Sequence, residues 1–369
     1  MTYEMQSHQR SRDMHIRRKT LVAGALIGLA AGAAAVAQEA ALSLDAAAPS
    51  PGPSPFEFAQ SGAKAKAMEE AASDDSAGRV IGGVEAAPGA WPWQVALVDA
   101  SRPVSPESQF CGGSMVLDNW VLTAAHCVRW PTDTPGETVD LAPGVFDIVV
   151  GTNVLGEGGD KVPVEAVFIH PDYRHDVFDY DVALVKLART PTADYKTIQI
   201  PDEQFGDILD QPGIRTIVTG WGLTNGQQRP AAMREAEIQL LDRNQCNGVA
   251  MQNRAGIAAR AFMQAVDVFD IPDDGAQTAW EALVQQAPPA LSERQLCSGT
   301  FEGGKTSCSG DSGGPLVTPL EDGTYIQIGV VSWGMSSSDG TGCYEEALFS
   351  VYTRAVAFLP WLEQTIGAN

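Results

Sequence analysis

Three observations predict an all-β chain, a barrel or a sandwich, with one helical excursion and a C-terminal helix. Beyond Val80 the apolar runs are four to nine residues long and rich in β-branched side chains. Gly, Pro or Asp turns bound them, which leaves many short strands and turn-rich connections. A helical spacing of apolar residues replaces this texture only near residues 250–287 and after Thr353. No repeat of fixed period runs through the chain.

Taken in order, Arg17, Arg18 and Lys19 precede an apolar Ala/Gly/Leu run from Leu21 to Ala37 that ends in Ala35-Val36-Ala37. Basic residues, an apolar core and small residues at the cleavage point predict a signal peptide over 1–37, removed before Gln38. The rival reading is a membrane anchor, but the run is short and weakly apolar against the ~20 residues a span needs. General secretion is preferred to twin-arginine export, which only the arginine pair and Leu21 suit. From Gln38 to Arg79 the chain is rich in Ala, Pro and Ser, and is expected to be a disordered pro-segment without a core of its own. Strands are predicted at Gln94 to Val98, Ser114 to Leu122, Phe146 to Val150, Ile214 to Thr219 and Ile326 to Ser332. The Ala-, Gln- and Asp-rich stretch at 250–287, with helical segments at Ile257 to Val266 and Ala276 to Gln286, is an insertion in this pattern. Val356, Leu359, Leu362 and Ile366 fall at helical spacing in a final segment that Pro360 is expected to distort.

Composition narrows the function. A net charge of −22 would repel nucleic acid on approach, which argues against nucleic acid as a partner. Six cysteines occur without the CxxC pairs of a zinc or redox site. They predict three disulfides and therefore an oxidising compartment, secreted or periplasmic.

The chemistry sits in three short motifs. In Gly310-Asp311-Ser312-Gly313-Gly314-Pro315, glycines flank a serine on a sharp turn whose N–H groups can face a developing oxyanion. A serine is a weak nucleophile without a base, and Thr123-Ala124-Ala125-His126-Cys127 offers an imidazole beside a rigidifying cysteine. Asp181, leading into the apolar run Val182-Ala183-Leu184, is placed to be buried and to orient that imidazole. Singly, these motifs read as a turn, a core histidine and a turn-forming aspartate. His170 and His175 are assigned no catalytic part.

With these residues in the order His, Asp, Ser, the sequence resembles the trypsin and chymotrypsin family of serine proteases. Trp91-Pro92-Trp93-Gln94, Cys111-Gly112-Gly113-Ser114, His170-Pro171-Asp172-Tyr173, Gly220-Trp221-Gly222 and Ser332-Trp333-Gly334 also fall in family order, from Val80 to about Trp361. The resemblance implies two packed six-stranded antiparallel β-barrels with the active site between them and a C-terminal helix, the catalytic domain covering 80–369. It implies Ser312 as nucleophile, His126 as general base and then acid, and Asp181 as the group fixing its tautomer. Gly310 and Ser312 would supply oxyanion N–H groups, Ser332 would support Asp181, and the backbone of Ser332, Trp333 and Gly334 would pair with substrate.

The same resemblance makes Arg79-Val80-Ile81-Gly82-Gly83 an activation site: cleavage after Arg79 frees an amine on Val80 that pairs with Asp311. It implies the disulfides Cys111–Cys127, Cys246–Cys297 and Cys308–Cys343. Thr306 would lie at the base of the primary specificity pocket, where relatives that cleave after Arg or Lys carry aspartate, and Ser350 where glycine commonly admits large side chains. The expectation is an uncharged P1 residue, medium aliphatic or aromatic. Glu345 and Glu346 are either a solvated turn or a partial source of basic preference. The segment Gly151 to Asp160 lacks the leading carboxylate of the family's calcium loop, so no metal and no cofactor is expected. The expected partners are protein or peptide substrates and an activating protease, and the enzyme is expected to be a monomer without a stable membrane anchor. Two alternatives stand beside this: a catalytically silent relative acting as a binding protein, and an active protease whose 250–287 insertion is a docking module.

Overall fold

The computed structural model describes residues 83–134, 136–224, 229–301, 305–336 and 347–369. The expected signal peptide, the pro-segment, Arg79, Val80, Cys343, Glu345 and Glu346 lie outside them. A two-residue strand, β1 (Val84–Glu85), is followed by β2 (Gln94–Asp99), β3 (Gln109–Leu117) and β4 (Trp120–Thr123). Next come the single helical turn α1 (Ala125–Val128) and a ribbon of β5 (Arg129–Pro131) and β6 (Thr138–Asp140). β7 (Phe146–Val150), β8 (Asp160–Ile169) and β9 (Ala183–Leu187) then complete a closed antiparallel barrel in the order β2-β3-β4-β9-β8-β7.

After α2 (Glu203–Leu209), β10 (Arg215–Gly220) and β11 (Arg234–Leu240) begin the second barrel. Helices α3 (Arg243–Phe269) and α4 (Asp273–Gln286) interrupt it before β12 (Gln295–Gly299), β13 (Pro315–Pro319), β14 (Tyr325–Ser336) and β15 (Ala347–Arg354). These six strands run in the order β11-β10-β13-β14-β15-β12 and close through β11 against β12, while β1 adds to the outer side of β11. A 3₁₀ turn (Ala355–Phe358) and α5 (Leu359–Ala368) end the chain.

Strand β2 shows how the sequence builds two cores at once. Every residue from Gln94 to Val98 is buried, although alternate side chains of a strand point to opposite faces. Val95 and Leu97 enter the first barrel with Met115, Leu122, Phe146, Ile148 and Leu184. Ala96 and Val98 pack outward against Trp91, Trp93, Ile198, Trp221 and the second-barrel residues Ile217 and Val317. The uninterrupted apolar run is therefore the seam between the barrels. The second barrel fills with Val218, Ile238, Leu240, Leu316, Ile328, Val331 and Tyr352.

Three details differ from the sequence reading. The run Ser114 to Leu122 is not one strand: Asp118-Asn119 turn the chain, and Ser114 and Leu122 become register partners across β3 and β4. Pro360 does not distort the last helix, because it lies in the first turn of α5, where a missing N–H leaves no intrahelical bond unmade. Phe358 and Leu362 anchor this end in the first barrel's core. The inserted helices exceed the two short segments expected. As a unit they centre on Trp280, buried among Ala255, Ala258, Ala259, Phe262, Met263 and Val284. The Cys246–Cys297 disulfide closes the 51-residue excursion that contains them. In the chain-entropy picture a loop of that length stabilises the fold by roughly 4 kcal/mol.

Candidate active site

The antiparallel register of β4 and β9 pairs Thr123 with Ala183, so the residues just beyond these positions, His126 in α1 and Asp181, are brought together. Asp181 is fully buried, and its carboxylate accepts three bonds. The His126 backbone N–H donates to Oδ1 at 2.9 Å, His126 Nδ1 lies 2.8 Å from Oδ2, and Ser332 Oγ donates to Oδ2 at 2.5 Å. Thr353 Oγ1 donates to the Asp181 carbonyl at 2.7 Å. A buried carboxylate is tolerated only when such bonds replace its hydration. Two of these donors come from β14 and β15, so the second barrel completes the surroundings of a residue carried by the first. The His126 side chain keeps 16% exposure, leaving its far edge open.

Ser312 is seated beside the Cys111–Cys127 disulfide. Its carbonyl accepts the Gly112 N–H at 2.7 Å. Cys127 Sγ lies 3.5 Å from that carbonyl and 3.9 Å from His126 Nε2, which places the serine's turn beside the imidazole. The turn is wound by Asp311 N–H to Cys308 O at 2.9 Å, Gly314 N–H to Asp311 O at 2.8 Å and Gly313 N–H to Val331 O at 2.8 Å. Gly313 has φ +81°, and a Cβ there would come within 2.2 Å of Thr123 Oγ1. Gly310, at φ +104°, points its carbonyl to Gln109 Nε2 at 2.7 Å. Among the described residues the N–H groups of Gly310 and Ser312 have no partner.

Asp311 is buried behind this turn. Its carboxylate accepts only backbone donors, Gly222 N–H and Cys308 N–H, each at 2.8 Å. Burial pushes its pKa up to about 6 against the pull of these two bonds. No ion pair to Asp311 forms among the described residues. Gly222 must be glycine, since a Cβ would fall 2.3 Å from Asp311 Oδ2.

Thr306 and Ser350 are fully buried and meet at 2.5 Å, and Ser307 Oγ donates to Ser350 Oγ at 2.7 Å. Ser350 is the register partner of Gly334, so this hydroxyl cluster lies beside Gly334 of β14. β13 pairs with β14 no further than Val330. Beyond that point this edge of β14, Ser332 to Gly334, carries no strand among the described residues.

Two of the three expected disulfides are present, and Cys308 is buried with its expected partner outside the described residues. His170 stacks with Tyr180 and Trp361 and accepts the Asp172 N–H through Nδ1 at 3.2 Å, while burial lowers its pKa. His175 Nδ1 lies 3.1 Å from the Tyr173 hydroxyl. In the segment 151–160, Asp160 is taken by Arg189 and Thr192, and Thr152 Oγ1 by the carbonyls of Val154 and Glu157. Among the described residues the one cluster close enough for a metal is Cys111, His126 and Cys127. Its sulfurs are joined to each other and its Nδ1 is held by Asp181, so this donor set does not fit an ion. Gln109 and Phe178, whose ring edge meets His126 with centroids 5.6 Å apart, carried no motif.

The family model described as Trypsin matches residues 80–270 and 274–362. The serine proteinase stubble of Drosophila melanogaster is 31% identical over 290 residues, an alignment taking in 77% of this chain and 30% of that protein. The chain thus spans less than a third of that relative's length. With two closed six-stranded barrels and matches over most of its length, this chain belongs to the trypsin family of serine proteases.

Proposed function

We propose that the chain is a secreted serine endopeptidase, made as a precursor and activated by cleavage after Arg79. The observation carrying this reading is the His126–Asp181–Ser332 chain beside Ser312, on a turn whose Gly310 and Ser312 N–H groups are unengaged among the described residues. Ser312 Oγ attacks the scissile carbonyl while His126 Nε2 takes its proton, and Asp181 holds the Nδ1–H tautomer and steadies the imidazolium. The two N–H groups stabilise the oxyanion as charge develops. His126 then protonates the leaving amine, and water releases the acyl group from Ser312 by the reverse proton path. The open edge at Ser332 to Gly334 takes the extended peptide as an added strand.

Activation rests on Asp311, a buried carboxylate in want of a cation. Arg234 donates to Gly83 O at 2.8 Å and pairs with Gly220, two residues from the Gly222 that binds Asp311. Three residues reach at most about 10 Å, so an amine freed on Val80 stays within that reach of Gly83. Pairing it with Asp311 relieves the burial cost of that charge and holds the oxyanion turn. The hydroxyl floor formed by Thr306, Ser307 and Ser350 supports an uncharged P1 residue, because a cation there would meet no carboxylate from these three residues. The two disulfides support a secreted or periplasmic location. No helix among the described residues is long and apolar enough to cross a membrane.

Hydrolysis of a P1-varied peptide library by the Arg79-cleaved protein tests this reading. Cleavage after Leu, Met or Phe well above Arg and Lys is expected, whereas preference for Arg or Lys would refute the pocket assignment. No hydrolysis of any peptide by the cleaved, disulfide-intact protein would leave the silent binding relative.

A further inference from the structure

The turn that delivers Asp181 is an unusual piece of backbone. Phe178 and Tyr180, neither of them glycine, adopt φ +52° and +55°. Side chains disfavour that region, and such a conformation persists when its surroundings over-determine it. Here one segment of the second barrel, Ser292 to Gln295, grips every residue of the turn. Arg294 Nη2 and Nε donate to the Asp179 carboxylate at 2.7 and 3.3 Å, and Ser292 Oγ donates to it at 2.9 Å. Buried Gln295 donates through Nε2 to the Phe178 carbonyl at 2.9 Å. The Arg294 guanidinium also lies 4.2 Å from the Tyr180 ring centroid. Burial works against ionised Asp179, but the bonds from Arg294 and Ser292 outweigh it and hold its carboxyl below the usual range.

The gripped turn touches His126 from two sides. Phe178 sets its ring edge-on against the imidazole, and Asp181, directly after Tyr180, receives both His126 donors. We propose that Arg294, aided by Ser292 and Gln295, is a positioning residue for His126: it clamps the Phe178–Asp179–Tyr180 turn and thereby fixes the aromatic wall and the carboxylate that orient the imidazole. The inference rests on the proposed role of His126. It also gives the barrel-to-barrel contact a function, since the clamp lies in one barrel and the imidazole in the other.

The test compares wild type, R294Q, R294K, D179N and the R294Q/D179N double variant, all cleaved after Arg79, with kcat expressed per folded molecule. R294Q is expected to lose about ten- to a hundredfold in kcat, the scale of a misplaced catalytic group, with KM for a small P1-only ester changed less than about threefold. R294K should recover part of the loss, and the double variant should be no worse than either single one, since all remove the same interaction. Should R294Q not fold, S292A removes one of the Asp179 bonds and must lower kcat per folded molecule in the same sense. A kcat per folded molecule within twofold of wild type, whatever happens to stability, would overturn the clamp. An inactive wild type would instead be a failure of the His126 assignment.

Discussion

Replacing Asp181 by Asn removes one charge and scarcely any volume, so its effect isolates what the carboxylate does. In the structure both oxygens face donors: the His126 backbone N–H at Oδ1, and His126 Nδ1 with Ser332 Oγ at Oδ2. An amide has one acceptor oxygen, and its NH₂ must point at one of these sides. Facing the backbone N–H it would leave two buried donors opposed, because that N–H cannot turn away. Facing the ring it is accommodated if the imidazole gives up its Nδ1 proton and carries one on Nε2 instead. The second arrangement is cheaper, and it leaves no lone pair to take the Ser312 proton. Loss of the correct tautomer costs about 10⁴ in kcat in enzymes of this type, or about 5 kcal/mol of transition-state stabilisation. The assay is kcat of Arg79-cleaved D181N on its best peptide at neutral pH, with thermal unfolding recorded alongside. A loss of less than tenfold in a folded, cleaved variant would refute the tautomer argument.

Further consequences follow from neighbouring contacts. Gly313→Ala sets a Cβ 2.2 Å from Thr123 Oγ1 and 2.5 Å from the Gly112 carbonyl at φ +81°, so kcat should fall by at least about a hundredfold; near-normal turnover would show that the turn yields. In the uncleaved precursor the Asp311 pKa of about 6 lies above its unfolded value of about 4, so its burial costs nothing in acid and grows as pH rises through that window. Urea unfolding of S312A precursors should therefore find Asp311→Asn gaining about 2 kcal/mol relative to Asp311 between pH 4 and 6.5, and a constant difference would contradict it. Thr306→Asp places a carboxylate in the hydroxyl cluster and should raise the Arg-over-Leu ratio of kcat/KM at P1 by at least about tenfold, while an unchanged ratio would remove Thr306 from the pocket.

The candidate site was legible because its parts lie in short segments whose local chemistry is distinctive. Glycines around Ser312 are needed for positive φ, and the cysteine beside His126 ties its turn to β3. The strand Gln94 to Val98 was legible from its apolar run, but nothing local says that it forms the seam between the barrels or which core each face enters. What escaped were contacts between residues far apart in sequence. Arg294 and Asp179 are separated by 115 positions, and neither sits in a motif. Gln109 meets Gly310 across 201 positions. The split of Ser114 to Leu122 was within reach, since Asp118-Asn119 is a turn pair, but hydrophobic runs on both sides masked it. Pro360 was misjudged because its effect depends on where the helix starts, and the packing of Phe358 and Leu362 fixes that start.

The central claim is that Ser312, activated by His126 and released by cleavage after Arg79, hydrolyses peptide bonds. The most direct measurement is peptide hydrolysis by three preparations side by side: the precursor, the protein cleaved after Arg79, and the cleaved Ser312→Ala variant. Turnover in the cleaved wild type alone is the predicted result. Equal turnover in the precursor would contradict the activation step, and turnover surviving Ser312→Ala would contradict the nucleophile.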